Sequence, residues 1–356
     1  MMLLNYLLGM RTQRPAWNCS IIFLRSGPFI DVVRDAGFNV AAVFDVRLRR
    51  PIVAIRVIRQ LCRIIKALRP SVVFSWMAYG HLFGGLAATI KSVPAVWYQI
   101  ASASGLVDRL ATLLPVRVVL CVSHFIAARQ DHLWPKRGLK VVWPGVDLTP
   151  YDKVCDEDRN LIRQRLNLPA GKPLAVIVGR MQRWKGMHTA TAAMPQVLTR
   201  IPDARLVIVG GVHEAEPAYR DQLVKMISDL GLGNQVILAG LQQNVAEWMA
   251  AADVVIHASL EEPFGIVAVE GMACGRPVIS GDRGGVIEAV SRKEGLHVPF
   301  EDARKLAEAM IFLFEHKDMA NQMGAAGRER ARDFTQAHYA GEICQTLEQQ
   351  SANAAR

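Results

Sequence analysis

The sequence predicts an α/β fold of two domains, each built on a parallel sheet, and three observations carry that expectation. The chain has 356 residues, about twice the length of a typical domain. Short, unbroken, β-branched apolar runs alternate with stretches of helical period, the pattern of strands covered on both faces. The charge is also divided. Residues 1–150 hold 19 Lys and Arg against 6 Asp, a net of +13, whereas residues 151–356 hold 23 against 26 acidic residues, a net of −3. Such asymmetry points to two regions with different partners. Apolar residues make up 51% and charged residues 21%, enough for a core in each region and incompatible with a disordered chain.

In the first half the runs CSIIFL (19–24), FNVAAVF (38–44), SVVFS (71–75), PAVWYQ (94–99), RVVLCV (117–122) and LKVVW (139–143) read as strands. In the second half PLAVIVG (173–179), ARLVIVG (204–210), QVILAG (235–240) and DVVIHAS (253–259) alternate with helical segments near 186–200, 217–231 and 244–252. The halves meet at WPGVDLTPYD (143–152), whose Pro, Gly and Asp suit a turn or hinge. The expected division is a Rossmann-like domain over 1–146, a second over 147–334 facing it across a cleft, and a helix and tail over 335–356.

The segment from Arg47 to Arg69 reads as a helix with two faces. Arg56, Arg59, Arg63 and Lys66 form one stripe, and Ile58, Leu61, Ile65 and Leu68 the opposite one. The apolar stripe is expected on the sheet and the basic stripe in solvent, where it also suits an anionic membrane surface. No aromatic-interleaved basic motif accompanies the charge, which argues against nucleic acid. No apolar stretch approaches the ~20 residues needed to span a bilayer, and the residues 1–10 lack the basic start of a secretory signal. Six scattered cysteines without a CxxC pair read as reduced thiols rather than a disulfide framework. The expectation is a cytoplasmic protein able to rest on the inner face of the cell membrane.

Two constellations carry chemistry. Glu270 lies inside an apolar helical stretch from about Gly265 to Cys274, where a carboxylate is costly without a partner; paired sugar hydroxyls would suit it. Glu262 precedes that helix, and Pro263-Phe264-Gly265 would present backbone N–H groups at its start. The bland alternatives are a basic partner for Glu270 and a helix-dipole role for Glu262. The second constellation is Arg180 and Lys185, just beyond the strand PLAVIVG, where ligands of open α/β sheets bind. Two cations there would neutralise a diphosphate as it leaves. His81, His124, His188 and His257 are expected to be satisfied structural histidines, and Cys274 to be packing. The run Asp156-Glu157-Asp158 reads as a solvated acidic turn, so no metal and no other cofactor is expected. GxSxG, GxxxxGK[ST] and GxGxxG are absent from the sequence.

Gly179-Arg180 to Lys185-Gly186, Glu262-Pro263-Phe264-Gly265 to Glu270, and Gly284-Gly285-Val286-Ile287-Glu288 resemble the retaining GT-B glycosyltransferases of family four. The resemblance runs from about residue 20 to 345 and is most specific over 174–290. It implies a GT-B fold of two Rossmann-like domains, with the helix from Thr335 crossing back to the first. It implies a nucleotide-sugar donor, no metal, and an acceptor on the first domain. Arg180 and Lys185 would bind the diphosphate. Glu262 would hold the transferred sugar, beside backbone groups of Phe264, Gly265 and Ile266. Glu270 would take the ribose hydroxyls, and the base would lie near Leu241 and Gln242. Asp147 would sit in the interdomain turn. Two departures stand out: the chain begins inside what reads as the first helix, without the family's opening strand and glycine loop, and Gln99 stands near a position where many members carry a histidine. Gln99 and His124 are the acceptor-side candidates.

The expectation is a hexosyl-type glycosyltransferase acting with retention on a saccharide or lipid-linked acceptor, in bacterial surface polysaccharide or lipopolysaccharide synthesis. The alternative is a catalytically silent relative that binds sugar nucleotide or scaffolds enzymes at the membrane.

Overall fold

The computed structural model describes residues 2–47, 51–155 and 157–352. The chain divides into two compact units, Met1–Gly145 with Gln336–Arg356, and Val146–Thr335.

In the first unit the strands are β1 (Ser20–Phe23), β2 (Asn39–Val43), β3 (Val73–Trp76), β4 (Ala95–Gln99), β5 (Val118–Cys121) and β6 (Leu139–Val141). All neighbours are parallel, but the sheet is divided: β1 pairs with β2, and β3-β4-β5-β6 form a separate group. β4 is buried at all five positions, as a central strand with helices on both faces must be. The helix Pro51–Leu68 has an 18-residue amphipathic pattern, and its Val57, Leu61 and Ile65 pack with Val46, Phe83 and Ala87. Arg56, Arg59, Arg63 and Lys66 are exposed, as expected of the basic stripe. Leu68 departs from expectation: it is 48% exposed, because it is the last helical residue and lies beyond the stripe's contacts at Val57, Leu61 and Ile65. Leu48, Arg49 and Arg50 lie outside the described residues.

The C-terminal helix Gln336–Ala352 packs on the helix Met2–Gln13. A Cβ at Gly9 would stand 2.6 Å from Ala340 Cβ, so glycine permits the close approach. Tyr6 meets Tyr339 edge to face, Gln336 donates to the Asn5 carbonyl, and Arg14 pairs with Glu348 at 2.6 Å.

The second unit holds β7 (Leu174–Val178), β8 (Arg205–Val209), β9 (Val236–Gly240), β10 (Val254–His257), β11 (Val278–Gly281) and β12 (Gly295–Val298). They form one parallel sheet in the order β12-β11-β10-β7-β8-β9. The first strand of the unit, β7, is central; the chain then winds outward through β8 and β9 and returns to β10 on the other side. The order therefore reverses between β7 and β10, the switch point at whose carboxyl edge open α/β sheets bind ligands. Ala175, Ile177, Leu206, Ile208, Val254, Ile256 and Ile279 form the core with the helices Met187–Arg200 and Ala303–Glu315. A fully buried side chain of this kind contributes about 1.5–3 kcal/mol. Among the described residues no helix is long and apolar enough to cross a membrane.

Candidate functional site

The switch point places Lys185 and Glu262 together. β7 ends in a short 3-10 turn, Arg183–Lys185, and Gly186 then opens the next helix with φ at +73°. A Cβ on Gly186 would lie 2.2 Å from the Ala258 carbonyl oxygen, so any larger residue would push the turn off the end of β10. The Leu260 N–H also donates to the Trp184 carbonyl at 2.9 Å. Main chain thus ties the two loops to each other, and the side chains follow: Lys185 Nζ donates to Glu262 Oε2 at 2.6 Å, with both residues largely buried.

Glu262 is not merely a dipole partner. His257 Nε2 stands 3.4 Å from the same Oε2, an electrostatic contact rather than an aligned hydrogen bond. Burial pushes the Glu262 carboxyl up, but His257 and Lys185 outweigh it and hold the group down at about 2. Behind it the Gly285 N–H donates to the Glu262 carbonyl at 2.7 Å. Gly284 has φ at +88°, and a Cβ there would meet that carbonyl oxygen at 2.6 Å. The Gly284-Gly285 pair is therefore a backbone clamp on Glu262.

The helix Ile266–Ala273 follows Gly265. It was expected to be buried nearly all round, and one stripe corrects that: Ile266, Val267 and Glu270 are only partly buried, while Ala268, Val269, Gly271, Met272 and Ala273 face the core. No ion pair to Glu270 occurs among the described residues. Its burial pushes the carboxyl up to about 7, and a hydrogen bond from Tyr151 opposes this only in part. Tyr151 lies on the helix Thr149–Cys155, whose start is capped by Asp147 accepting from the Thr149 N–H at 3.0 Å. Phe264 is buried against Phe334, 5.3 Å between ring centroids, so only its backbone is available beside Glu262.

Arg180 is exposed at the carboxyl end of β7, its Nη1 3.1 Å from His213 Nε2. Leu241 follows β9 and is 81% exposed, covering Gly211; Gln242 is folded back on the Ala239 carbonyl at 2.6 Å. All nine of these second-unit candidates lie on one end of the sheet or on the helix leaving it.

The first-unit candidates fare differently. Gln99 is 1% exposed, and each end of its amide is used: Oε1 accepts from Trp97 Nε1 at 3.2 Å and Nε2 donates to Asp108 Oδ1 at 2.9 Å. The structure gives Gln99 a packing role. His124 is exposed at the start of the helix His124–Asp131, edge-on to Trp143.

Two histidines correct the expectation of satisfied structural rings. His188 is satisfied, by Tyr219 at 2.8 Å and Glu301 at 3.1 Å. His81 and His257 are buried, and neither ring nitrogen of either makes a hydrogen bond. His81 stacks flat on Trp97, 5.2 Å between centroids, and burial lowers its pKa to about 4. Cys274 is buried as expected, but it has a neighbour the sequence did not show, the Cys155 thiol, and contact with that thiol together with burial pushes the Cys274 thiol up. Asp156 lies outside the described residues; Glu157 pairs with Arg165, and Asp158 caps the Asn160 N–H. Among the described residues no cluster of His, Cys, Asp and Glu is arranged to hold a metal.

Sequence reasoning missed His257, Tyr151 and His213. The second-unit sheet order, the divided first-unit sheet and the returning C-terminal helix define an α/β protein of the GT-B class. The structure superposes on Anabaena HepE crystallised with UDP at a TM-score of 0.83, with 22% identity, over 97% of this chain and 95% of that one. It superposes on a glycosyltransferase from Rickettsia africae at a TM-score of 0.86, with 18% identity, over 97% and 94%. Residues 158–330 match the family described as Glycosyl transferases group 1. It is 33% identical over 207 residues to D-inositol 3-phosphate glycosyltransferase of Nocardia farcinica, covering 57% of this chain and 45% of that one. It is 34% identical over 192 residues to the GDP-mannose-dependent monoacylated alpha-(1-6)-phosphatidylinositol monomannoside mannosyltransferase of Corynebacterium glutamicum, covering 52% and 49%. The matched region thus spans about half the length of these relatives.

Proposed function

We propose that this protein is a glycosyltransferase that takes a hexosyl group from a nucleotide sugar and passes it, with retention of configuration, to a saccharide or lipid-linked acceptor. The observation that carries the reading is the Lys185–Glu262 pair at the switch point, with Arg180 also at the carboxyl end of β7 and Glu270 on the helix Ile266–Ala273 that follows Glu262. Arg180 and Lys185 stabilise the departing diphosphate, a role that fixed cations fill well in a water-poor site. Glu262 accepts from sugar hydroxyls, aided by backbone groups of Phe264, Gly265 and Ile266. Glu270 takes the ribose hydroxyls, and the base rests by Leu241 and Gln242. None of these roles calls for a metal.

The acceptor belongs to the basic first unit. The names of the two relatives both contain a phosphorylated inositol, and an anionic acceptor of that kind matches the charge of residues 1–150. The groove of Ile58, Arg59, Cys62, Arg63, Lys66, Ile90 and Lys91 supports docking on an anionic membrane, consistent with surface polysaccharide synthesis. One observation favours the silent alternative: Gln99 stands where the resemblance places a histidine, and its amide is spent on packing. Assay of the protein with UDP-, GDP- and ADP-sugars and phosphoinositol acceptors, with the anomeric coupling of the product read by NMR, separates the two. Product with the donor's configuration supports the transferase; donor binding without product in any combination supports the silent protein.

A further inference from the structure

Arg180 and His213 sit on neighbouring loops that the main chain locks together. Met181 and Val212 form a parallel bridge, the Met181 N–H donates to the Gly211 carbonyl at 2.8 Å, and the Gly179 N–H donates to the Val209 carbonyl at 2.9 Å. A Cβ at Gly210 would fall 1.7 Å from the Gly179 carbonyl oxygen, so the loops have no room to slide. The 3.1 Å approach of Arg180 Nη1 to His213 Nε2 is therefore a product of backbone register and not of free side chains finding each other.

The two nitrogens do not satisfy one another. The Ala215 N–H donates to His213 Nδ1 at 3.1 Å, and a backbone N–H is always a donor, so Nδ1 presents its lone pair. An imidazole whose Nδ1 accepts carries its proton on Nε2. Arg180 has donors only. Two N–H donors thus converge on one point, and the group that satisfies both is an acceptor with several lone pairs. Glu216, on the His213 loop, is already engaged: it accepts the Arg183 N–H at 2.8 Å and the Gln182 side-chain amide at 3.4 Å.

We infer that His213 is a second diphosphate ligand, donating from Nε2 to the same phosphate oxygen as Arg180, while Lys185 serves the side of the group nearer Glu262. This rests on the donor-site reading above. It assigns His213 a binding role that its sequence position did not suggest, and it explains why the imidazole is held by a backbone N–H: that bond fixes both the tautomer and the direction of the donor.

The test combines a ligand-free and a ligand-bound measurement. Long-range proton–nitrogen NMR on the intact protein is expected to find His213 as the Nε2–H tautomer; the Nδ1–H tautomer overturns the inference. Binding is then measured by calorimetry with inorganic pyrophosphate, with UDP, GDP and ADP, and with their nucleosides. H213A is expected to weaken pyrophosphate and the bound diphosphate about tenfold, the worth of one hydrogen bond to a charged group, to leave the nucleoside unchanged, and to keep the melting temperature. H213Q, which retains an N–H donor, is expected to recover part of the loss. Equal pyrophosphate affinity for H213A and the unaltered protein, equal losses on nucleoside and diphosphate, or no pyrophosphate binding at all overturns the inference. Pyrophosphate binding that depends on His213, with no nucleotide bound, would instead retain the inference and reject the donor-site reading.

Discussion

Lys185 Nζ donates to Glu262 Oε2 at 2.6 Å, joining the carboxyl end of β7 to the carboxyl end of β10 across the point where the strand order reverses. Either residue alone would be an expensive burial. Together they neutralise each other, and under the proposed function the lysine also serves an anion and the carboxylate the sugar hydroxyls. Breaking such a pair from one side strands the other charge, which costs about 3–5 kcal/mol when burial is deep. K185M is therefore expected to lower the stability of the second unit by somewhat less, about 2–3 kcal/mol given the residual exposure, and to abolish transfer. K185M/E262Q is expected to regain the stability and not the transfer. Urea unfolding and activity of the two variants and the unaltered protein check this; equal stability of K185M and the unaltered protein contradicts it.

Arg180 makes no ion pair among the described residues and is exposed, so its removal should be nearly neutral for folding. R180A is expected to lower the turnover number by about 10²–10³, the usual worth of one oxyanion-stabilising group, with a melting temperature within about 1 °C of the unaltered protein. Full transfer activity in R180A would remove the diphosphate assignment.

Glu270 and His81 give opposite pH dependences. The Glu270 carboxyl is raised to about 7 in the folded chain from an ordinary value of 4.5. The folded state therefore binds more protons between those values, and stability from this group rises as pH falls from 7 to 4.5. E270Q is expected to stabilise the second unit at pH 8 by about 2 kcal/mol, discounted for partial exposure, with the gain gone at pH 4.5, while it loses ribose-dependent donor affinity. A gain that does not change with pH contradicts the assignment.

His81 works the other way. Burial lowers it to about 4 from 6.5, so the unfolded chain takes up its proton first and the first unit loses stability as pH falls from 6.5 to 4. The size is about 3 kcal/mol. H81L is expected to flatten the first unit's stability over that window; an unchanged profile by denaturant titration would show that the ring is not the group responsible.

The exposed stripe Arg56, Arg59, Arg63 and Lys66 predicts binding to vesicles containing anionic lipid that weakens between about 0.05 and 0.5 M salt as the Debye length contracts. R59E/R63E is expected to lose most of it. Cosedimentation independent of salt, or unchanged in the double variant, argues against electrostatic docking.

Much of this architecture was readable because the strands are short, unbroken and β-branched, and because Arg180, Lys185, Glu262 and Glu270 lie at fixed offsets from them. Other features were not local and left no trace in the spacing. Tyr151 reaches Glu270 from a helix 119 positions earlier in the chain. His213 meets Arg180 only because Met181 pairs with Val212, a register that propensity does not encode. His257 looked like any strand-end histidine until the fold put Glu262 at 3.4 Å. The division of the first unit's strands into β1-β2 and β3-β4-β5-β6 was equally invisible, since each run is apolar whether or not a neighbour pairs with it. The engagement of the Gln99 amide by Asp108, nine residues on, was hidden for the same reason.

The central claim is that the carboxyl edge of the second-unit sheet is a nucleoside-diphosphate site, and a thermal-shift panel with UDP, GDP, ADP and their hexose conjugates tests it most directly. A ligand at about 100 times its dissociation constant adds roughly 2.7 kcal/mol, or about 2–4 °C for a unit of this size. The account predicts a shift with one base that is lost in R180A and in E270Q. A folded protein that shifts with none of the nucleotides, or shifts equally in both variants, would contradict it.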